Sequence, residues 1–201
     1  MTHLYLIRHG RSTWNAEGRI QGHADPPLDD MGRQQAQALA ARLYTENLQM
    51  VYSSPLLRAS QTAELICAAG QWPLRLDERL KERHTGDWTG LTGDEVDARL
   101  AAAPDYDWRV LGPPGGESTL ALMARAAEVF AEIVAAHPGQ KVAVVSHGGL
   151  LDAYLRHALG IAHDRPVHFR FGNTALARLV LKDGHVRLLS LGDERHVETL
   201  T

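Results

Sequence analysis

The 201-residue chain has one cysteine, three lysines and no apolar run near the length of a membrane span, which takes about 20 residues. With Cys67 alone, no intramolecular disulfide can form, and the N-terminus lacks a basic stretch leading into a long apolar segment that ends in small residues. Both absences point to a reducing, cytoplasmic setting. Charge of one sign is also missing: 21 Lys and Arg face 24 Asp and Glu, a formal charge of -3, so neither nucleic acid nor an anionic membrane is expected as a partner through bulk attraction. Any anion site has to be local.

Several catalytic signatures are missing too. The chain has no G-x-x-x-x-G-K-[ST] and no G-x-G-x-x-G, the commonest phosphate-cradling loops, and no His-Glu-x-x-His or Cys/His cluster that would suggest a metal. Cys67 is followed six residues later by Pro73, where a cysteine-dependent phosphatase needs an Arg. Asp105-x-Asp107 has no apolar strand before it, which argues against an aspartyl-phosphate route.

What is present suffices for one domain over residues 1–201, since 44% of the residues are hydrophobic. Leu4 to Ile7 reads as a buried strand that stops at Arg8-His9-Gly10, and Lys141 to Ser146 as a second that stops at His147-Gly148-Gly149. Met50 to Tyr52 is a third, ending at Ser53-Ser54-Pro55, where a serine cap and a first-turn proline favour a helix carrying Arg58 to about Ala69. Leu74 to Leu76 is a short fourth. Further helices are expected from just after Gly32 to about Leu43, over Asp94–Ala102, Ser118–Ala136 and Leu150–Leu159. Ala175–Leu181 and Val186–Leu191 form a hairpin whose free edge offers a homodimer contact. Residues from about 91 to 117, rich in Pro and Gly, read as a lid or specificity segment. Strands alternating with helices predict a layered α/β fold with a largely parallel sheet.

In such sheets, sites gather beyond the C-terminal strand ends, where Arg8, His9, Arg58 and His147 fall. A phosphoryl group in transfer carries charge on three equatorial oxygens and needs oriented cationic donors with an in-line nucleophile. Two guanidiniums and two imidazoles meet that need without a metal. His9 is the candidate nucleophile if its second ring nitrogen donates to a fixed acceptor. Glu82, in Leu80-Lys81-Glu82-Arg83-His84, is the candidate proton donor to the leaving alcohol and must carry a proton when the ester arrives. The plainer alternatives are an Arg58–Glu64 pair on a helix surface and a solvated Glu82. The plainer role for Asn15 and Gln21 is to stabilise turns, and His23, Arg83 and His84 read as rim or structural residues.

Leu6-Ile7-Arg8-His9-Gly10, Ser12-x-Trp14-Asn15, Gln21-Gly22-x-x-Asp25-x-Pro27-Leu28, Ser53-x-Pro55-x-x-Arg58-x-x-Gln61-Thr62-Ala63 and Ser146-His147-Gly148-Gly149 together resemble the histidine phosphatase superfamily. The resemblance implies a phosphoglycerate mutase-like three-layer α/β sandwich. It makes His9 the phosphorylated residue, places Arg8, Arg58 and His147 around the phosphate, and gives the proton to Glu82. It adds Asn15, Gln21, Gly22 and Gly148 as substrate contacts and requires no cofactor. Arg11 departs from it, since many relatives carry Glu or Gln there.

Mutase relatives have a longer insertion with a Lys and an Arg-Arg pair, whereas Leu91 to Gly116 is short and holds only Arg99 and Arg109 as bases. The expectation is therefore a metal-independent phosphomonoesterase of the histidine acid phosphatase type, acting on a small-molecule phosphate monoester. A cofactor-dependent phosphoglycerate mutase is the runner-up, and a non-catalytic phospho-ligand binder the third reading.

Overall fold

Leu4–Ile7 and Val142–Val145 are apolar without alternation, as strands covered on both faces are, and a computed structural model, which describes residues 1–198 and 200, accounts for the pattern. The strands are β1 (Thr2–Arg8), β2 (Met50–Ser53), β3 (Leu74–Leu76), β4 (Lys141–Ser146), β5 (Leu176–Lys182) and β6 (His185–Asp193). They lie in the order β3-β2-β4-β1-β5-β6. The pairings β1–β4, β2–β4 and β2–β3 are parallel, while β5 runs antiparallel to β1 and to β6. The helices of more than four residues are α2 (Asp30–Leu43), α3 (Leu57–Gly70), α4 (Gly93–Ala101), α6 (Thr119–Ala136) and α7 (Gly148–Ala158); α1 (Thr13–Ala16) and α5 (Trp108–Leu111) are single turns.

Alternate residues of the central strands supply two cores. Leu4 and Leu6 with Val142 and Val144 pack under α6 and α7, while Tyr5 and Ile7 with Ala143 and Val145 pack under α2 and α3. Each apolar strand thus serves two layers of helix, which makes the three-layer sandwich. The chain leaves β1 toward α2 on one face and leaves β4 toward α7 on the other. That divergence between adjacent parallel strands opens a crevice at their C-terminal ends.

Several boundaries differ from the sequence reading. Arg8 closes β1 rather than following it. α2 starts at Asp30, with the Asp29 carboxylate accepting from the Gly32 amide, so Gly32 lies in its first turn. α3 begins at Leu57 behind an N-cap, Leu56, that has no side-chain cap bond. The Ser-Pro pair therefore precedes the helix, and the Ser54 hydroxyl, which accepts from the Leu56 amide, can take a further partner. The hairpin turns through Asp183 and Gly184, both at positive φ, as a tight two-residue connection requires. Among the described residues no helix is long and apolar enough to cross a membrane.

Candidate active site

Strand register brings distant residues side by side. Arg8 pairs with Ser146, the His9 amide donates to the Ser146 carbonyl, and the Ser54 amide donates to the Val145 carbonyl. The residues at the strand ends, His9, Ser54 and His147, are consequently neighbours at one sheet edge. The His9 and His147 rings lie 5.1 Å apart, tilted by 57°. Arg58 reaches them from the first turn of α3, and Glu82 from the loop between β3 and α4.

His9 is 3% exposed, and its Nδ1 is 2.7 Å from the Gly10 carbonyl oxygen. A carbonyl only accepts, so Nδ1 carries the proton and Nε2 is left as a bare lone pair. Burial, then the Arg8 and Arg58 charges, hold the imidazole well below its ordinary pKa of 6.5. His147, 0% exposed, is depressed in the same way, by burial first and by Arg58 next.

The guanidiniums are anchored through some nitrogens and open at others. Arg8 Nη1 donates to the Phe171 carbonyl at 2.6 Å. Arg58 is 1% exposed, so it does not pair with Glu64 at the surface; its Nη1 and Nη2 donate to the Ala24 and Gly22 carbonyls, each at 2.8 Å. Burial lowers the pKa of Arg8, and lowers that of Arg58 to about 10, leaving both charged near neutrality. Nε of Arg8, Nε of Arg58 and Nδ1 of His147 are buried and have no partner in the protein.

Glu82 is fixed at the N-terminus of α7. Its carboxylate accepts from the amides of Arg83 (2.8 Å), Gly149 (3.0 Å) and Leu150 (3.1 Å). A Cβ on Gly149 would fall 2.5 Å from Glu82 Oε1, so glycine is needed there for the carboxylate to approach. The segment bearing Glu82 is itself clamped: Arg125 donates to the carbonyls of Arg79, Lys81 and Glu82, and Ser146 Oγ to that of Leu80.

Arg8, His9, Arg58 and Glu82 line a cavity of about 470 Å³, together with Asn15, Gln21 and Gly22. Asn15 both caps and faces the cavity. Its Oδ1 accepts from the Ser12 amide and from Asn173 Nδ2, an arrangement that leaves its amide nitrogen for a ligand. Gln21 Oε1 likewise accepts from Ser12 Oγ at 2.8 Å. Gly22 sits at φ +49°, where a Cβ would also run into Thr85 Oγ1. Gly148 opens α7 beside the Arg8 side chain, but neither it nor His147, which lies behind the His9 ring, lines the cavity.

Some contributors were given no role by the sequence, even where, like Thr62, they stand inside a quoted motif. Thr62 Oγ1 accepts from the Gly10 amide, and Asn173 Nδ2 and the Thr174 amide both donate to the His9 carbonyl, pinning the loop that carries His9. Thr62 stands one helical turn past Arg58, but Asn173 lies 164 residues from His9 and nothing local advertises it. Arg19, Asp152 and His168 join the expected rim residue Arg83 at the cavity wall, while the His23 ring meets the Glu82 carbonyl. Arg11 turns to Asp29, Nε to Oδ2 at 2.6 Å, and thereby ties its loop to the start of α2. Burial and the nearby Glu64 charge push the Cys67 thiol up to about 11, which suits an inert core cysteine. Among the described residues, no group of three His, Cys, Asp or Glu is placed to hold a metal ion.

The chain is similar over most of its length to proteins of known kind. It is 38% identical to a glucosyl-3-phosphoglycerate phosphatase of Mycolicibacterium vanbaalenii across 92% of this chain and 85% of that one. It is 41% identical to a metal-independent phosphoserine phosphatase of Arabidopsis thaliana across 78% of this chain and 68% of that one. Its fold superposes on a phosphoserine phosphatase from Entamoeba histolytica, solved in complex with phosphoserine, with a TM-score of 0.85 and 30% identity, covering 98% of this chain and all of that one. A family model described as the histidine phosphatase superfamily (branch 1) matches residues 4–194. Sheet order, crevice and sequence agree in one assignment: the chain belongs to the histidine phosphatase superfamily.

Proposed function

We propose that the chain hydrolyses small phosphate monoesters through a phosphohistidine on His9, without a metal, in the manner of a histidine acid phosphatase. The observation that carries this reading is the set of unpartnered buried nitrogens, Arg8 Nε, Arg58 Nε and His147 Nδ1, near a histidine whose Nε2 is a free lone pair. Such polar groups are costly to bury unless a ligand completes them, and the two guanidinium N–H groups suit a tetrahedral oxyanion.

In the first step His9 Nε2 attacks phosphorus and the P–O bond to the alcohol breaks, while a protonated Glu82 gives its proton to the departing oxygen. In the second, Glu82 as carboxylate takes a proton from water, whose oxygen attacks phosphorus; the P–N bond breaks and inorganic phosphate leaves. The arginines stay charged throughout. The depressed pKa of His9 keeps the nucleophile unprotonated in mildly acidic solution, which supports the acid phosphatase type. Residues 91 to 117 act as the specificity cover, a role supported by Val96, Trp108, Arg109 and Pro113 at the cavity wall.

An aryl phosphate incubated in excess EDTA tests the reading. Turnover is expected in the wild type and absent in a correctly folded His9→Ala variant; activity that needs added metal, or that survives the substitution, would overturn it. Incubation with 3-phosphoglycerate and its bisphosphate is expected to give little isomer. Rapid formation of 2-phosphoglycerate would instead select the mutase reading.

A further inference from the structure

His147 is fully buried, and its Nε2 lies 2.8 Å from Ser54 Oγ, which is also 0% exposed. The Leu56 amide donates to that same hydroxyl at 3.3 Å. A serine hydroxyl has one proton and two lone pairs, and here the amide occupies one lone pair. Two assignments of the remaining protons are open. If Nε2–H donated to Ser54, the hydroxyl proton would have no acceptor and His147 Nδ1 would be a buried lone pair with no donor facing it. If Ser54 donates to Nε2, only Nδ1–H is left over, and an anion completes it. Each unmet buried polar group is costly, so the second assignment wins on the count.

We propose that Ser54 is a positioning residue that fixes His147 in the tautomer protonated at Nδ1, so that a neutral imidazole donates to the phosphoryl oxygen. The inference rests on the phosphate-pocket reading above. It gives the two imidazoles the same tautomer for opposite purposes. His9 spends its Nδ1 proton on the Gly10 carbonyl and offers a lone pair to phosphorus, whereas His147 spends its lone pair on Ser54 and offers a proton to oxygen. It also explains why Ser54 does not cap α3, whose N-cap, Leu56, has no side-chain bond. A neutral donor keeps a further positive charge away from the His9 ring, which Arg8 and Arg58 already face.

The tautomer can be read from long-range proton–nitrogen NMR spectra of protein labelled with 15N-histidine, at neutral pH with orthovanadate bound, the His147 signals being identified by their loss in His147→Gln. The wild type is expected to show the proton on Nδ1 and a bare Nε2. Ser54→Ala is expected to move the proton to Nε2 and to lower kcat for an aryl phosphate by about 10- to 100-fold, with a smaller change in KM. Ser54→Thr, which keeps the hydroxyl, restores both. A wild-type His147 protonated at Nε2 or at both nitrogens overturns the proposal, as does Ser54→Ala retaining Nδ1–H. Should the variants not fold, the wild-type spectrum still decides. Wild-type turnover with phosphate trapped on His9 would meanwhile leave the phosphatase reading standing even if this assignment failed.

Discussion

Desolvation acts on His9 and Cys67 alike but with opposite chemical results. Burial removes charge from whichever form carries it, so it keeps the imidazole neutral with a free lone pair while keeping the thiol protonated. The depressed values of His9 and His147 fix a sign for pH dependence. After allowance for substrate ionisation, the acid limb of kcat/KM is expected below pH 6.5, the ordinary histidine value; a limb at or above it would contradict the burial argument. For stability, unfolded histidines take up protons from about pH 6.5 downward while the folded ones refuse them. Unfolding free energy should therefore decrease as the pH is lowered through that window, and less steeply in His9→Gln, as chemical denaturation would measure. At this scale the motif residues were legible from the chain alone because each carries its chemistry in its side chain. Ser54, Asn173 and Thr174 were not, since their role comes from what folding brings beside them.

At the scale of elements, the first turn of α7 does two jobs. It follows His147 directly, and its Gly149 and Leu150 amides receive the Glu82 carboxylate. Gly149→Ala puts a methyl where Oε1 sits and must displace the carboxylate without altering charge. A displaced proton donor matters most for leaving groups that cannot depart as anions. Turnover of an alkyl phosphate is expected to fall by about 10- to 100-fold, and that of p-nitrophenyl phosphate by much less. Equal losses on the two substrates would mean that Glu82 is not the acid. The elements themselves were read from periodicity and turn residues, with errors at the boundaries. The Ser-Pro pair resembled a helix start, yet the hydroxyl went to a tertiary partner and α3 opened two residues after the proline.

Across the whole molecule, the pocket stores unmet hydrogen-bonding capacity that a ligand can convert to stability. An oxyanion at 100 times its Kd adds about 2.7 kcal/mol to the folded state, a rise in Tm of roughly 5–10 °C for a chain of this length. Orthovanadate is expected to produce such a shift in the wild type and little in Arg58→Met, as thermal melts at matched concentrations would show. A full shift in the variant would remove Arg58 from the anion site. The sequence by itself determined the layered α/β class, because uninterrupted apolar strands demand cover on both faces, and it singled out the side chains that folding gathers at one sheet edge. Only the tertiary structure decided which nitrogens remain free, because a donor's availability depends on carbonyls and hydroxyls that approach from other parts of the chain. Phe171 for Arg8, Gly22 and Ala24 for Arg58, and Ser54 for His147 are partners that no local pattern could have named.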